Sequence, residues 1–153
     1  MPTLKYLQGR GAKINATSTP DFSALTLFFD DLISVNDAND PGNMIESASA
    51  DIEVDIQIDQ PETLIFDFRG SILVSNPACW GLVSANAKGQ RMIIHSSEQD
   101  GEFNRQMMIE LKESGPLWLS VLLLSQRDPA DLTSSANTQC DSLDLRFAGE
   151  GDS

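Results

Sequence analysis

His95 is the only histidine of this chain, and Ser96 and Ser97 follow it directly. Nucleophilic catalysis needs a hydroxyl or thiol held against a base that a third group orients. Nothing in the sequence places Ser96, Ser97, Cys79 or Cys140 in that relation to His95. The carboxylate pairs Glu53 with Asp55 and Asp141 with Asp144 are of the type that performs acid and base work at a sugar. With 23 acidic residues in the chain such pairs arise by chance, and on alternating strands they form a solvated face. No catalytic residue is assigned, and the chain is read as a non-enzyme.

A second constellation is Asp37-x-Asn39-x-x-Gly42, where carboxylate and carboxamide oxygens precede a glycine at a sharp bend, as in a calcium loop. Pro41 then occupies the third oxygen position, and Ala48 stands where the bidentate glutamate would be. The simpler reading is an acidic turn. A divalent cation, if one binds, is expected here through Asp37, Asn39 and Asp40, with Asp30 or Asp31 completing the set. Calcium is favoured over zinc because the donors are oxygens. No other cofactor is expected.

Cys79 and Cys140 are the only cysteines, which excludes a cysteine-rich zinc module and leaves one disulfide or two free thiols. Cys79 stands beside Trp80 in the Asn76-to-Gly81 corner, and Cys140 follows a Ser/Thr/Asn-rich loop. Placed at segment edges, the two are expected to bond across a sandwich, a link worth about 3–4 kcal/mol for so long a loop. Trp80, Trp118 and Tyr6 are too scattered to form an aromatic platform for sugars, and Trp118 reads as core. Asn15-Ala16-Thr17 matches a glycosylation sequon, a frequent accidental pattern.

The elements that carry these residues are legible from hydrophobic period. Ile52-Glu53-Val54-Asp55-Ile56-Gln57-Ile58-Asp59 alternates without a miss, so an extended strand sends Ile52, Val54, Ile56 and Ile58 to one face and the polar residues to the other. Leu64, Phe66, Phe68, Ile72 and Val74 repeat the pattern, and this strand is expected to pair with the first. Gly70 marks a bulge or a close backbone approach. Ala24 to Val35 reads as one central strand. Gly81 to Ser84 is a stub, Arg91 to His95 a strand, and Asp100-Gly101 a hairpin signal before Phe103 to Lys112. Leu117 to Leu124 is apolar on both faces and of strand length. Leu143, Leu145 and Phe147 close the series. About nine short strands with no convincing helix indicate an all-β antiparallel sandwich or jelly roll. One domain is expected over residues 1–148, with an acidic flexible tail at 149–153.

The net charge of −13 and pI near 4.2 oppose the counterion release that drives nucleic-acid binding, and repel an anionic bilayer. No apolar run is long enough to span a membrane, and Met1-Pro2-Thr3-Leu4-Lys5 lacks the core of a signal peptide. Several stretches resemble a family of small secreted fungal and bacterial β-proteins of unknown function. These are Gly9-Arg10-Gly11, Pro20 to Asp30, the alternating strand to Ile58 with Pro61 after it, and Asp67-Phe68-Arg69-Gly70. The resemblance covers roughly the first half of the chain. It implies an exported β-sandwich and supplies no site residues. The expected function is therefore a non-enzymatic, extracellular or cell-surface β-sandwich that binds, coats or supports, with a protein or carbohydrate partner or a second copy of itself. A virion or filament accessory protein, and a hydrolase using acidic residues, are the rival readings.

Overall fold

The computed structural model describes residues 2–37, 48–98 and 100–148, which form two antiparallel sheets packed on each other as a sandwich. Eleven strands appear among them: β1 (Leu4–Arg10), β2 (Lys13–Ser18), β3 (Ala24–Asp30), β4 (Ile33–Asn36), β5 (Ala48–Ile58), β6 (Glu62–Val74), β7 (Trp80–Ala87), β8 (Gln90–His95), β9 (Gly101–Leu111), β10 (Gly115–Gln126) and β11 (Ala136–Phe147). Sheet A runs β1-β5-β10-β7-β8, and sheet B runs β2-β3-β11-β6-β9 with β4 also on β11. The all-β sandwich expected from the hydrophobic period is the observed fold.

The alternating stretch does what its period dictates. Ile52, Val54, Ile56 and Ile58 of β5 are each at most 1% exposed, and they share one core with Leu64, Phe66 and Phe68 of β6. The two strands do not pair, contrary to expectation. β5 lies between β1 and β10, whereas β6 lies between β11 and β9 in the opposite sheet. Each strand has a single greasy inward face, and the chain around Pro61 carries β6 across the core, so the two faces meet through the sandwich instead of side by side.

Three further expectations change. The stretch from Ala24 to Val35 breaks into β3 and β4 at Asp31, whose φ of 62° no strand sustains. Both pieces still pair with β11, and the Leu32 carbonyl between them accepts the Cys140 N–H at 3.1 Å. The supposed stub after Trp80 is the full strand β7, held between β10 and β8. Asp100-Gly101 joins no hairpin, because β8 belongs to sheet A and β9 to sheet B. Gly70 is a site of close approach: a Cβ there would lie 2.7 Å from the Phe103 ring, while the bulge falls on the partner strand between Cys140 and Ser142.

The sheets are also tied by a buried polar patch. Ser125 Oγ of β10 lies 2.8 Å from the Ser34 carbonyl of β4 and 2.9 Å from Thr138 Oγ1 of β11, and Thr138 donates to the Leu124 carbonyl at 3.0 Å. Asn36 Nδ2 donates to the Ser125 carbonyl at 3.3 Å. Just beyond, Arg127 is 1% exposed and gives an N–H of its guanidinium to the Asp37 carbonyl. Gly81 of β7 presses on the same patch, where a Cβ would meet Thr138 Oγ1 and come within 2.6 Å of Ile72 Cγ2.

Candidate functional site

A concave feature is built on the β7–β8 hairpin. Lys88 and Gly89, with φ of 51° and 78°, form a two-residue turn that matches the twist of the strands and pairs Ala87 with Gln90. That register sets Leu82 opposite His95. Trp80, two residues before Leu82, points to the same face and is the diagonal neighbour of His95, within reach for long rings. The two rings stack with centroids 6.0 Å apart and planes 18° from parallel. Ser96 prolongs the pairing: its N–H donates to the Gly81 carbonyl at 3.0 Å, and its hydroxyl accepts the Gly81 N–H at 3.1 Å.

The opposite wall is the corner between β6 and β7. Asn76 shapes it, its Oδ1 accepting the N–H groups of Ala78 at 2.8 Å and Cys79 at 3.2 Å, the side-chain mimic of a turn. Its amide lies 3.4 Å from a carboxylate oxygen of Asp128 and the same distance from one of Asp131, which pins the corner to the loop before β11. The Thr133 hydroxyl and N–H, with the Asn76 amide, hold the Asp131 carboxyl below the usual aspartate range. Between the walls lies a cleft of about 570 Å³, within the roughly 300–1,000 Å³ of small-molecule sites. Trp80, His95, Ser96, Ser97 and Asp100 line it together with Val74 to Pro77 and Cys79.

His95 is placed here, held by Ser97. Its Nδ1 takes the Ser97 N–H at 3.0 Å and lies 2.9 Å from the Ser97 hydroxyl. The acid pairs are engaged elsewhere: Glu53 binds Arg10 at 2.9 Å, Asp55 accepts from Gln8 at 2.8 Å, Asp144 accepts from Thr26 at 2.7 Å, and Asp141 accepts from Gln139. Of the calcium candidates, Asp37 gives its carbonyl to Arg127, while Asn39 and Asp40 lie outside the described residues. Among the described residues no group of His, Cys, Asp or Glu is arranged to hold a metal. The tail at 149–153 also lies outside them.

Cys79 and Cys140 are two buried free thiols, not the expected disulfide. The expectation put both at segment edges. Cys140 instead sits within β11, opposite Gly70, and Cys79 occupies the cleft corner with its Sγ 3.5 Å from Asn76 Oδ1. Both tryptophans depart from expectation: Trp118, read as core, is 45% exposed on the outer face of sheet A, and Trp80, read as too isolated for a platform, stacks on His95. The signal for the stack is the Lys88-Gly89 turn, whose two-residue loop fixes which residues of the flanking strands meet.

No family model and no curated protein matches the chain. Among solved structures it is similar to TmCBM61 in complex with β-1,4-galactotriose, with a TM-score of 0.45 and 11% identity over 92% of this chain and 88% of that one. It is also similar to a family 35 carbohydrate binding module from Clostridium thermocellum, with a TM-score of 0.36 and 8% identity over 97% and 99%. A third is the carbohydrate binding module CBM6cm-2 from Cellvibrio mixtus lichenase 5A in complex with cellotriose, with a TM-score of 0.33 and 8% identity over 97% and 98%.

Proposed function

We propose that this protein is a non-catalytic binding module whose ligand, a carbohydrate, sits in the cleft between the β6–β7 corner and the β7–β8 hairpin. The observation that carries the reading is the Trp80–His95 stack in a cleft that also carries the Ser75, Ser96 and Ser97 hydroxyls, the Asn76 amide and the Asp100 carboxylate beside the apolar Val74 and Pro77. An aromatic face covers the apolar C–H side of a sugar ring, and hydroxyls and carboxylate oxygens exchange hydrogen bonds with its rim; this mixture of one flat apolar surface and a few polar groups is what orients a small polar ligand. His95, with Nδ1 committed to Ser97, is a poor partner for a nucleophile, which supports binding over turnover. The free thiols withdraw the disulfide as a reason to place the protein outside the cell, so the binding reading stands on the cleft alone.

The test is titration of the protein with a library of soluble oligosaccharides, followed by calorimetry and tryptophan fluorescence. Trp80→Ala should abolish binding, and Trp118→Ala, at an exposed position on β10, should leave it intact. Loss of binding only in Trp118→Ala, or no binding by any glycan, would remove the proposal.

A further inference from the structure

Resting on that binding role, we infer that the cleft selects uncharged sugars over acidic ones, and that His95 reads a ligand oxygen through its Nε2–H. The first half follows from the charges at the site. Among the described residues that line the cleft there is no Lys or Arg, and Asp100 is the only one of them with a formal charge. Asp128 and Asp131 stand behind the Asn76 wall, both within 3.4 Å of its amide. A ligand carboxylate or sulfate entering here would shed water, find no cation to replace it, and face like charge. A neutral sugar meets none of these costs, and the exposed Asp100 carboxylate can accept hydrogen bonds from its hydroxyls.

The second half follows from hydrogen accounting on the ring. A backbone N–H can only donate, so the Ser97 N–H at 3.0 Å makes Nδ1 an acceptor, and the hydrogen of the neutral imidazole is on Nε2. Among the described residues, Nε2–H has no hydrogen-bond partner. The ring is held by Trp80 on its face and by Ser97 at Nδ1, so this donor is fixed in direction before a ligand arrives. A rigid, unspent donor beside an aromatic face meets a sugar hydroxyl or ring oxygen without the ordering cost that a flexible side chain would add.

The probes are the methyl β-glycosides of glucose and galactose and the matching methyl uronides, read by saturation-transfer NMR and competition at low and moderate salt. The neutral glycosides should bind, and the uronides should bind at least tenfold more weakly, about 1.4 kcal/mol. Asp100→Asn should narrow that gap. His95→Phe, which keeps an aromatic ring against Trp80 and removes the donor, should weaken neutral binding with the melting temperature unchanged. Equal or tighter binding of the uronides, a gap that Asp100→Asn leaves untouched, or full affinity in His95→Phe overturns the inference while leaving a sugar site in place. Absence of binding by neutral and acidic glycosides alike sinks the binding role itself.

Discussion

At the scale of single residues, Cys140 is the clearest case of environment deciding chemistry. Burial in β11, reinforced by the neighbouring Asp141 carboxylate, pushes its thiol from 9.0 up to about 12. The folded state thus holds the thiol proton where the unfolded chain releases it. The stabilisation is complete below pH 9.0, and it is lost as pH climbs through the window up to about 12. Cys140→Ala should therefore flatten the alkaline fall in stability, measured by urea melts across that window. In the native protein Cys140 should resist iodoacetamide at about pH 8.5 and react once the chain is unfolded. Its type was legible from the sequence and its setting was not. A cysteine after a polar loop looked like an edge residue, because the loop's last residues, Ala136 to Gln139, are already strand paired with β4 and β6. Trp118 was misread for a related reason: Leu117 to Leu124 is apolar at every position but Ser120, so composition hides which parity faces the core.

At the scale of elements, Gly81 is where the site and the sandwich constrain each other. It follows Trp80, hydrogen-bonds Ser96 through both backbone groups, and leaves the space that Thr138 and Ile72 of the other sheet occupy. Gly81→Ala should cost about 1–3 kcal/mol through overpacking, read in urea melts. Its effect should extend to the Trp80 fluorescence spectrum, because β7 cannot retreat from Thr138 without moving its first residue. A neutral result would mean that Thr138 yields without cost. The strands themselves were largely legible wherever one face is apolar and the other polar, as in β5 and β9. Their partners were not, because pairing in this fold links distant segments: Leu4 meets Ile58, and Ala136 meets Val74. The β3–β4 break was invisible because Asp31 takes a left-handed backbone conformation that the apolar pattern on either side does not announce.

At the scale of the whole molecule, the charge of −13 is far from balanced by ion pairs, and the pair of Arg10 with Glu53 at 2.9 Å is exposed. Exposed pairs contribute little, while net self-repulsion weakens the compact state and is screened by salt. Raising sodium chloride from about 10 to about 300 mM should therefore raise the melting temperature by a few degrees, roughly the effect of 1 kcal/mol. A fall would show that the local pairs outweigh the global repulsion. The strand order carries another consequence, for synthesis. β10 is flanked by β5 and β7, and β11 by β3, β4 and β6, so each sheet is organised around a strand from the last third of the chain. As the polypeptide leaves the ribosome, β1 to β9 emerge before either spine exists, their greasy faces lacking the neighbours that will cover them. The dense acid content, a handicap to the finished fold, then serves the nascent chain by keeping it dispersed until the final strands arrive and both sheets close.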